Sequence, residues 1–252
     1  MKIAPKPQKS CSEKGVITLH RDKRNFVAGF SMLKEELSSL VEKKTLLHPL
    51  EYTFFETLNY ERRQLSFLLG RLTAKEAIAQ LIDPGDIRSI LIDFGVFQFP
   101  VVRNCIPGNI QVCISHCDNI GIALAFPEEH PIGMVLEKID PERINAIRKY
   151  VSVRELELIS GCGLTISTGC TALWTMKESL SKIFRTGLTM DFSILEIQSL
   201  EAVNGIYSAI FRSVSQYKAI SFHIRNHICS LVIPKNTAAK VDDFLNSLHT
   251  II

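Results

Sequence analysis

The feature that most constrains the fold is a change of hydrophobic period that happens twice along the chain. From Leu47 to Ile82 apolar residues recur at three- and four-residue spacing, as at Leu65, Leu68, Leu72, Ile78 and Leu81, which predicts helix, and Asp83, Pro84 and Gly85 stop it. Short Ile-, Val- and Phe-rich runs follow at Ile87 to Val102, Ile110 to Ser115, Gly121 to Phe126 and Ile132 to Leu136, broken by Gly95, Pro107 and Gly108 as strands are broken by turns. The order then recurs. Pro141 to Ile159 and Thr171 to Phe184 read as helices, and Ile194 to Ile197, Tyr207 to Phe211, Ala219 to Arg225 and Ile228 to Ile233 as strands, with a closing helix at Ala238 to Leu248. Helix before sheet, twice, predicts an α+β fold of two similar halves, 1–130 and 131–252, in one continuous two-lobed unit. No repeat is visible in the residues themselves.

The 252 residues carry 29 Lys plus Arg against 26 Asp plus Glu, so a net +3 gives no electrostatic claim on nucleic acid. The start, MKIAPKPQKSCSEKG, has lysines without a following apolar run, so no secretory signal is expected and a cytoplasmic location is. The 19 uncharged residues from Leu158 to Met176 hold Gly161, Gly163, Gly169 and six Ser or Thr, which predicts a polar loop running into a helix and no membrane span. The seven cysteines contain no CxxC pair, which points to reduced thiols. Cys113, His116 and Cys117 with distant His223 and His227 are conceivable metal ligands, but the first three lie at spacings that zinc sites rarely use.

Thr171 to Arg185 is the most informative helix, because Trp174, Glu178 and Lys182 fall on one face of it. A carboxylate and an ammonium one turn apart fit either a surface ion pair or a metal-binding carboxylate beside a phosphate-binding lysine. Glu137 ends the strand IGMVLE, whose alternation puts Gly133, Val135 and Glu137 on one face. Two such carboxylates plus substrate phosphates make an ordinary magnesium shell. Ser115 and His116 end a strand, and Arg71 and Lys75 lie one turn apart on the first long helix. All four residue types suit phosphate oxygens. GxSxG, Walker and GxGxxG motifs are absent, so the residues alone lead to a phosphate-handling enzyme and no further.

ISHCDNIGIALAFPEEHPIGMVLEKID followed by WTMKESLSK and TGL, with LLGRLTAKEAI and GVFQFPVV upstream, resembles the 4'-phosphopantetheinyl transferases of the large, surfactin-synthetase-activating type over roughly residues 45–235. The resemblance implies a pseudo-twofold α+β fold with coenzyme A between the halves and Mg2+ on its pyrophosphate. The implied reaction moves the phosphopantetheine arm to a serine of an acyl or peptidyl carrier protein in polyketide or nonribosomal peptide biosynthesis. It makes Glu137 and Glu178 metal ligands, Glu178 also the base toward the carrier serine, and Lys182 the group that steadies the pyrophosphate. His116 with Ser115 would hold a coenzyme A phosphate, and Arg71 and Lys75 would line the nucleotide end. A monomer acting on coenzyme A and carrier protein is expected.

Two positions depart from the family pattern. Val135 stands where the family strand has a metal-ligand Asp, and Val96 to Phe99 stand near a Gly-Lys-Pro of some members. Either water takes the place of the lost carboxylate, or the protein keeps the cleft and has lost or changed the transfer.

Overall fold

The computed structural model describes residues 10–103 and 109–252. The chain opens with a hairpin of β1 (Cys11–Arg21) and β2 (Arg24–Lys34), turned at Asp22 with φ 52°. Helices α1 (Leu37–Glu42), α2 (Pro49–Phe55) and α3 (Glu61–Ala79) follow, then β3 (Leu91–Phe94), β4 (Pro100–Arg103), β5 (Ile110–Cys117) and β6 (Ile120–Pro127). The second half runs β7 (Gly133–Lys138), α4 (Ile144–Ile147), α5 (Val153–Gly161), α6 (Ile166–Ile183), β8 (Ile197–Val203), β9 (Ile206–Phe211), β10 (Tyr217–Ile224) and β11 (His227–Pro234). It ends in β12 (Thr237–Lys240) and α7 (Asp242–Ile251). The sheets run β12-β1-β2-β6-β5 and β7-β11-β10-β9-β8, with β3-β4 as a separate ribbon. The fold is α+β, as the change of period predicts.

Several local expectations need correction. Sheet precedes helix in the first half, because β1 and β2 form ahead of α1. The stretch Leu47 to Ile82 is two helices, with Pro49 at the first turn of α2. Pro141 to Ile159 is broken, and α5 restarts where Ser152 Oγ accepts the Glu155 N–H and Glu155 accepts the Ser152 N–H. The start of the uncharged stretch belongs to α5, and α6 begins at Ile166 behind its Thr165 cap, whose Oγ1 accepts the Thr168 N–H. The closing helix starts later than Ala238, since 237–240 pair with β1.

One apolar cluster joins the sheets: Phe30, Met32 and Leu124 of the first meet Met134, Leu136 and Phe222 of the second, with Phe244 and Leu248 of α7 among them. The two long helices cover the outer faces, α3 on β2 and β6, α6 on β7 and β11. Among the described residues no single helix is long and apolar enough to cross a membrane. The apolar side of α6 (Cys170, Leu173, Met176, Leu180) is consumed in the second core cluster.

The helix-on-sheet contacts reveal a repeat that the residues alone hide. At the third residue of α2, Glu51 accepts from the His48 and Ile92 amides and sits 3.0 Å from Lys75 Nζ of α3. At the third residue of α5, Glu155 accepts from the Ser152 and Ile197 amides and from Lys177 Nζ of α6 at 2.7 Å. Two residues beyond each lysine the helix backbone rides on a strand glycine. A Cβ on Gly29 would lie 2.2 Å from Ala77 O, and one on Gly133 1.9 Å from Ser179 O. Aligned on those lysines, L-T-A-K-E-A-I (Leu72 to Ile78) faces W-T-M-K-E-S-L (Trp174 to Leu180). Strand, short helices, long helix and four strands recur in the same order on each side of residue 130, while β12 and α7 return to the first sheet.

His130 touches that return: it is fully buried with Nε2 2.9 Å from Thr237 Oγ1. Burial, reinforced by Arg21, lowers its pKa below the ordinary 6.5. The unfolded chain therefore binds the proton first, and stability should fall as pH drops below about 6.5 until the lowered folded pKa is passed. Thermal melts from pH 7.5 to 5 should show that loss, and His130→Gln should make it shallower, leaving the part that His116 and His227, whose pKa values burial also lowers, contribute; an equal slope in both proteins would remove His130 as a cause.

Candidate functional site

A cleft of about 700 Å³ opens between the halves, walled by α3, the turn between β3 and β4, β5 and the end of α6. Its lining combines aromatic side chains (Phe67, Phe94, Phe99) with cations (Arg62, Arg71, Lys182). Apolar walls with a few placed charges suit a ligand that is part ring, part anion.

Arg71 is the most constrained cation there. Its guanidinium carbon lies 4.7 and 4.6 Å from the Phe67 and Phe94 ring centres. Nε is 3.8 Å from Glu51 Oε1, and Nε and Nη2 are buried without a hydrogen-bond partner. Burial lowers its pKa to about 10, against the pull of Glu51 and Asp93, so it stays charged at neutral pH. Buried charged donors facing a cleft suit an anionic ligand, which would complete them.

Lys75 does not share that role. It is fully buried, within 3.0 Å of Glu51, and donates to the Ile87 carbonyl at 3.1 Å and to the Ile90 carbonyl. One turn of helix does place it beside Arg71, but Glu51 arrives from α2 and consumes it. Ser115 is likewise outside the cleft, since its Oγ accepts the Leu136 N–H at 2.9 Å and ties β5 to β7. His116, pointing the other way, lines the cleft. Its side chain is exposed, and desolvation, then Lys182 and Arg62, lowers its pKa.

Lys182 is more than a surface partner for Glu178. Its Nζ donates to Ile114 O at 3.0 Å and Met134 O at 3.2 Å, bridging β5 to β7, and lies 3.7 Å from Glu178 Oε1. The reading as a plain solvated ion pair therefore fails. Glu137 Oε1 accepts from Arg143 Nη1 at 2.6 Å. Burial raises the Glu137 pKa, Arg143 draws it down, and Glu178 raises it again, so the two carboxylates feel one another across β7 and α6.

The cations Arg62, Arg63 and Arg185 also line the cleft, and sequence reasoning missed them. Helical period extends the Arg71 face back through Phe67 to Arg63 and would have found one of them. Arg185 owes its position to the chain turning at φ 57° after α6, with its guanidinium 5.0 Å from the Phe99 ring centre. In the turn between β3 and β4 Gln98 has φ 62°, and Phe97 stands exposed beside the cleft.

Residues 131–232 match the family model of the 4'-phosphopantetheinyl transferase superfamily. This span is a domain of that superfamily. No curated protein matches the chain. The transferase domain contains Val135, Glu137, Glu178 and Lys182, while Arg71 and His116 reach the cleft from outside the matched span. Members of the superfamily use coenzyme A and typically a divalent metal. Glu137 and Glu178 fit such an ion, because two carboxylates that repel each other through shared burial are relieved by a cation between them. Arg143 would have to yield one Glu137 oxygen, and its largely exposed side chain is free to swing away. Val135 is 1% exposed. It faces α6 like Gly133 and supplies no oxygen.

Proposed function

We propose that the protein transfers the 4'-phosphopantetheine arm of coenzyme A to a serine of an acyl or peptidyl carrier protein, as the large surfactin-synthetase-activating transferases do. The observation that carries this reading is Lys182 of the matched span, which lies 3.7 Å from Glu178 and lines the cleft that holds the buried, incompletely bonded Arg71, while Glu137 and Glu178 stand behind it and are not among the lining residues. The two halves, 1–130 and 131–252, would grip coenzyme A between them. Arg71 and His116 hold its phosphates, while the rings around Arg71 accept the nucleotide. Lys182 faces the pyrophosphate, where charge builds as the phosphorus–oxygen bond to the leaving adenosine bisphosphate breaks. Glu178 takes the carrier serine proton. A divalent ion held by Glu137 and Glu178 would supply charge neutralisation at the pyrophosphate.

Release of adenosine 3',5'-bisphosphate tests this reading: it should require coenzyme A, Mg2+ and an apo carrier together. Release independent of carrier, or none with a panel of acyl and peptidyl carriers, would overturn it. Lys182→Ala should lower kcat/KM by about 2–4 kcal/mol of transition-state stabilisation, the scale of one deleted electrostatic donor. Unchanged turnover in steady-state assays would contradict that role.

Val135 supports a second reading, a protein that binds coenzyme A or carrier without ordinary transfer. Val135→Asp separates the two. In an active transferase the new carboxylate should lower the Mg2+ concentration for half-maximal transfer. In a repurposed cleft it buries an unpaired charge, at a cost of several kcal/mol, and rescues nothing. Melts and Mg2+ titrations of parent and variant distinguish these outcomes.

A further inference from the structure

Away from the cleft, the end of β5 and the start of β11 bring three chemically mixed donors together. Cys117 Sγ, an Asp118 carboxylate oxygen and an imidazole nitrogen of His227 all lie within 4.8 Å of one another. His227 is 7% exposed, and neither of its nitrogens has a hydrogen-bond partner. A buried imidazole with both nitrogens unpaired is rare, because each has lost water without replacement. Sequence spacing hides the group, since Cys117 ends a strand of the first sheet, Asp118 lies in the turn after it and His227 begins a strand of the second. Of the other residues first considered with them, Cys113 is bonded to Met134 and His223 to Tyr207, and neither joins the group.

We propose that Cys117, Asp118 and His227 form a zinc-type cation site that clips the two sheets together. Thiolate, carboxylate and neutral imidazole carry two negative charges, so a divalent ion leaves the partly buried site neutral. Sulfur and nitrogen donors select zinc over magnesium or calcium, which take oxygen ligands. Tetrahedral bonds of about 2.0–2.3 Å put donors roughly 3.5 Å apart. The three atoms therefore have to close by little more than about 1 Å, leaving the fourth position to water. The neighbouring charges are Lys138, Lys34 and Glu137. Lys138 Nζ lies 3.2 Å from Asp118 Oδ2 on a side chain that is 43% exposed, so it can leave the carboxylate to the ion. Its three ligands are distinct from the residues assigned to the transfer and none of them lines the cleft, although Glu137 is a neighbouring charge of both groups.

Cobalt is the probe. Titration of the chelator-treated full chain with Co2+ should give a thiolate-to-cobalt charge-transfer band saturating at one equivalent, displaced by Zn2+, and Zn2+ alone should raise the melting temperature. Cys117→Ser should abolish the band and the shift in melting. Asp118→Asn, at an exposed position, should weaken binding at least about tenfold, and His227→Gln should do so too. No band at stoichiometric cobalt, or one that survives Cys117→Ser with unchanged affinity in Asp118→Asn, would overturn the site.

Discussion

Lys177→Ala is expected to lower the unfolding free energy by about 3–5 kcal/mol, the cost of leaving a buried charge without its partner. Lys177 and Glu155 are each no more than 2% exposed. Their 2.7 Å contact is one of the bonds by which Glu155 ties α5, α6 and β8 together, with the Ser152 and Ile197 amides making the others. Removing the lysine also frees the Tyr150 carbonyl, which accepts from Nζ at 2.7 Å. Urea unfolding of parent and variant measures the loss, and Glu155→Gln combined with Lys177→Met should recover much of it, since two apolar or neutral groups leave no stranded charge. A loss below about 1 kcal/mol would mean that water reaches this pair and that it is no pillar of the fold.

Glu178→Gln should reduce carrier modification below detection while leaving coenzyme A binding and the melting temperature near the parent values. The amide keeps the shape but loses both the negative charge offered to a divalent ion and the ability to take a proton. Glu178 is one-quarter exposed and is 3.7 Å from Lys182, so the fold loses little with its charge. Quenched-flow or discontinuous assays beside calorimetric coenzyme A titrations make the separation. Residual turnover within tenfold of the parent would show that another group takes the serine proton.

The contrast between Lys75 and Lys182 shows where sequence reasoning reached and where it stopped. Helical period put Lys182 and Glu178 on one face, and they do meet, because neighbours one turn apart are a local property. The same rule put Lys75 beside Arg71, but the burial and pairing of Lys75 depend on Glu51, brought in from another helix. Strand alternation separated His116 from Ser115 only once the sheet was in place, because one residue of register decides which of the two faces the cleft. Strand β1 escaped notice since it buries only Ile17 and Leu19 among its apolar residues, with Val16 exposed and mostly polar residues along the rest, whereas the apolar run of β2 from Phe26 to Leu33 was legible and was passed over. The internal repeat was hidden because its signature is discontinuous: a Glu, a Lys more than twenty residues later and a strand amide beyond that. What the residues carried legibly was the WTMKESLSK helix and the strand ending in Glu137, both inside the span that matches the transferase superfamily.

The most direct measurement is the intact mass of an apo carrier protein after incubation with this protein, coenzyme A and Mg2+. The account predicts that the carrier gains one phosphopantetheine arm on its serine, and that the gain disappears with Glu178→Gln. A carrier that a known transferase loads under the same conditions, but that keeps its apo mass here, would contradict it.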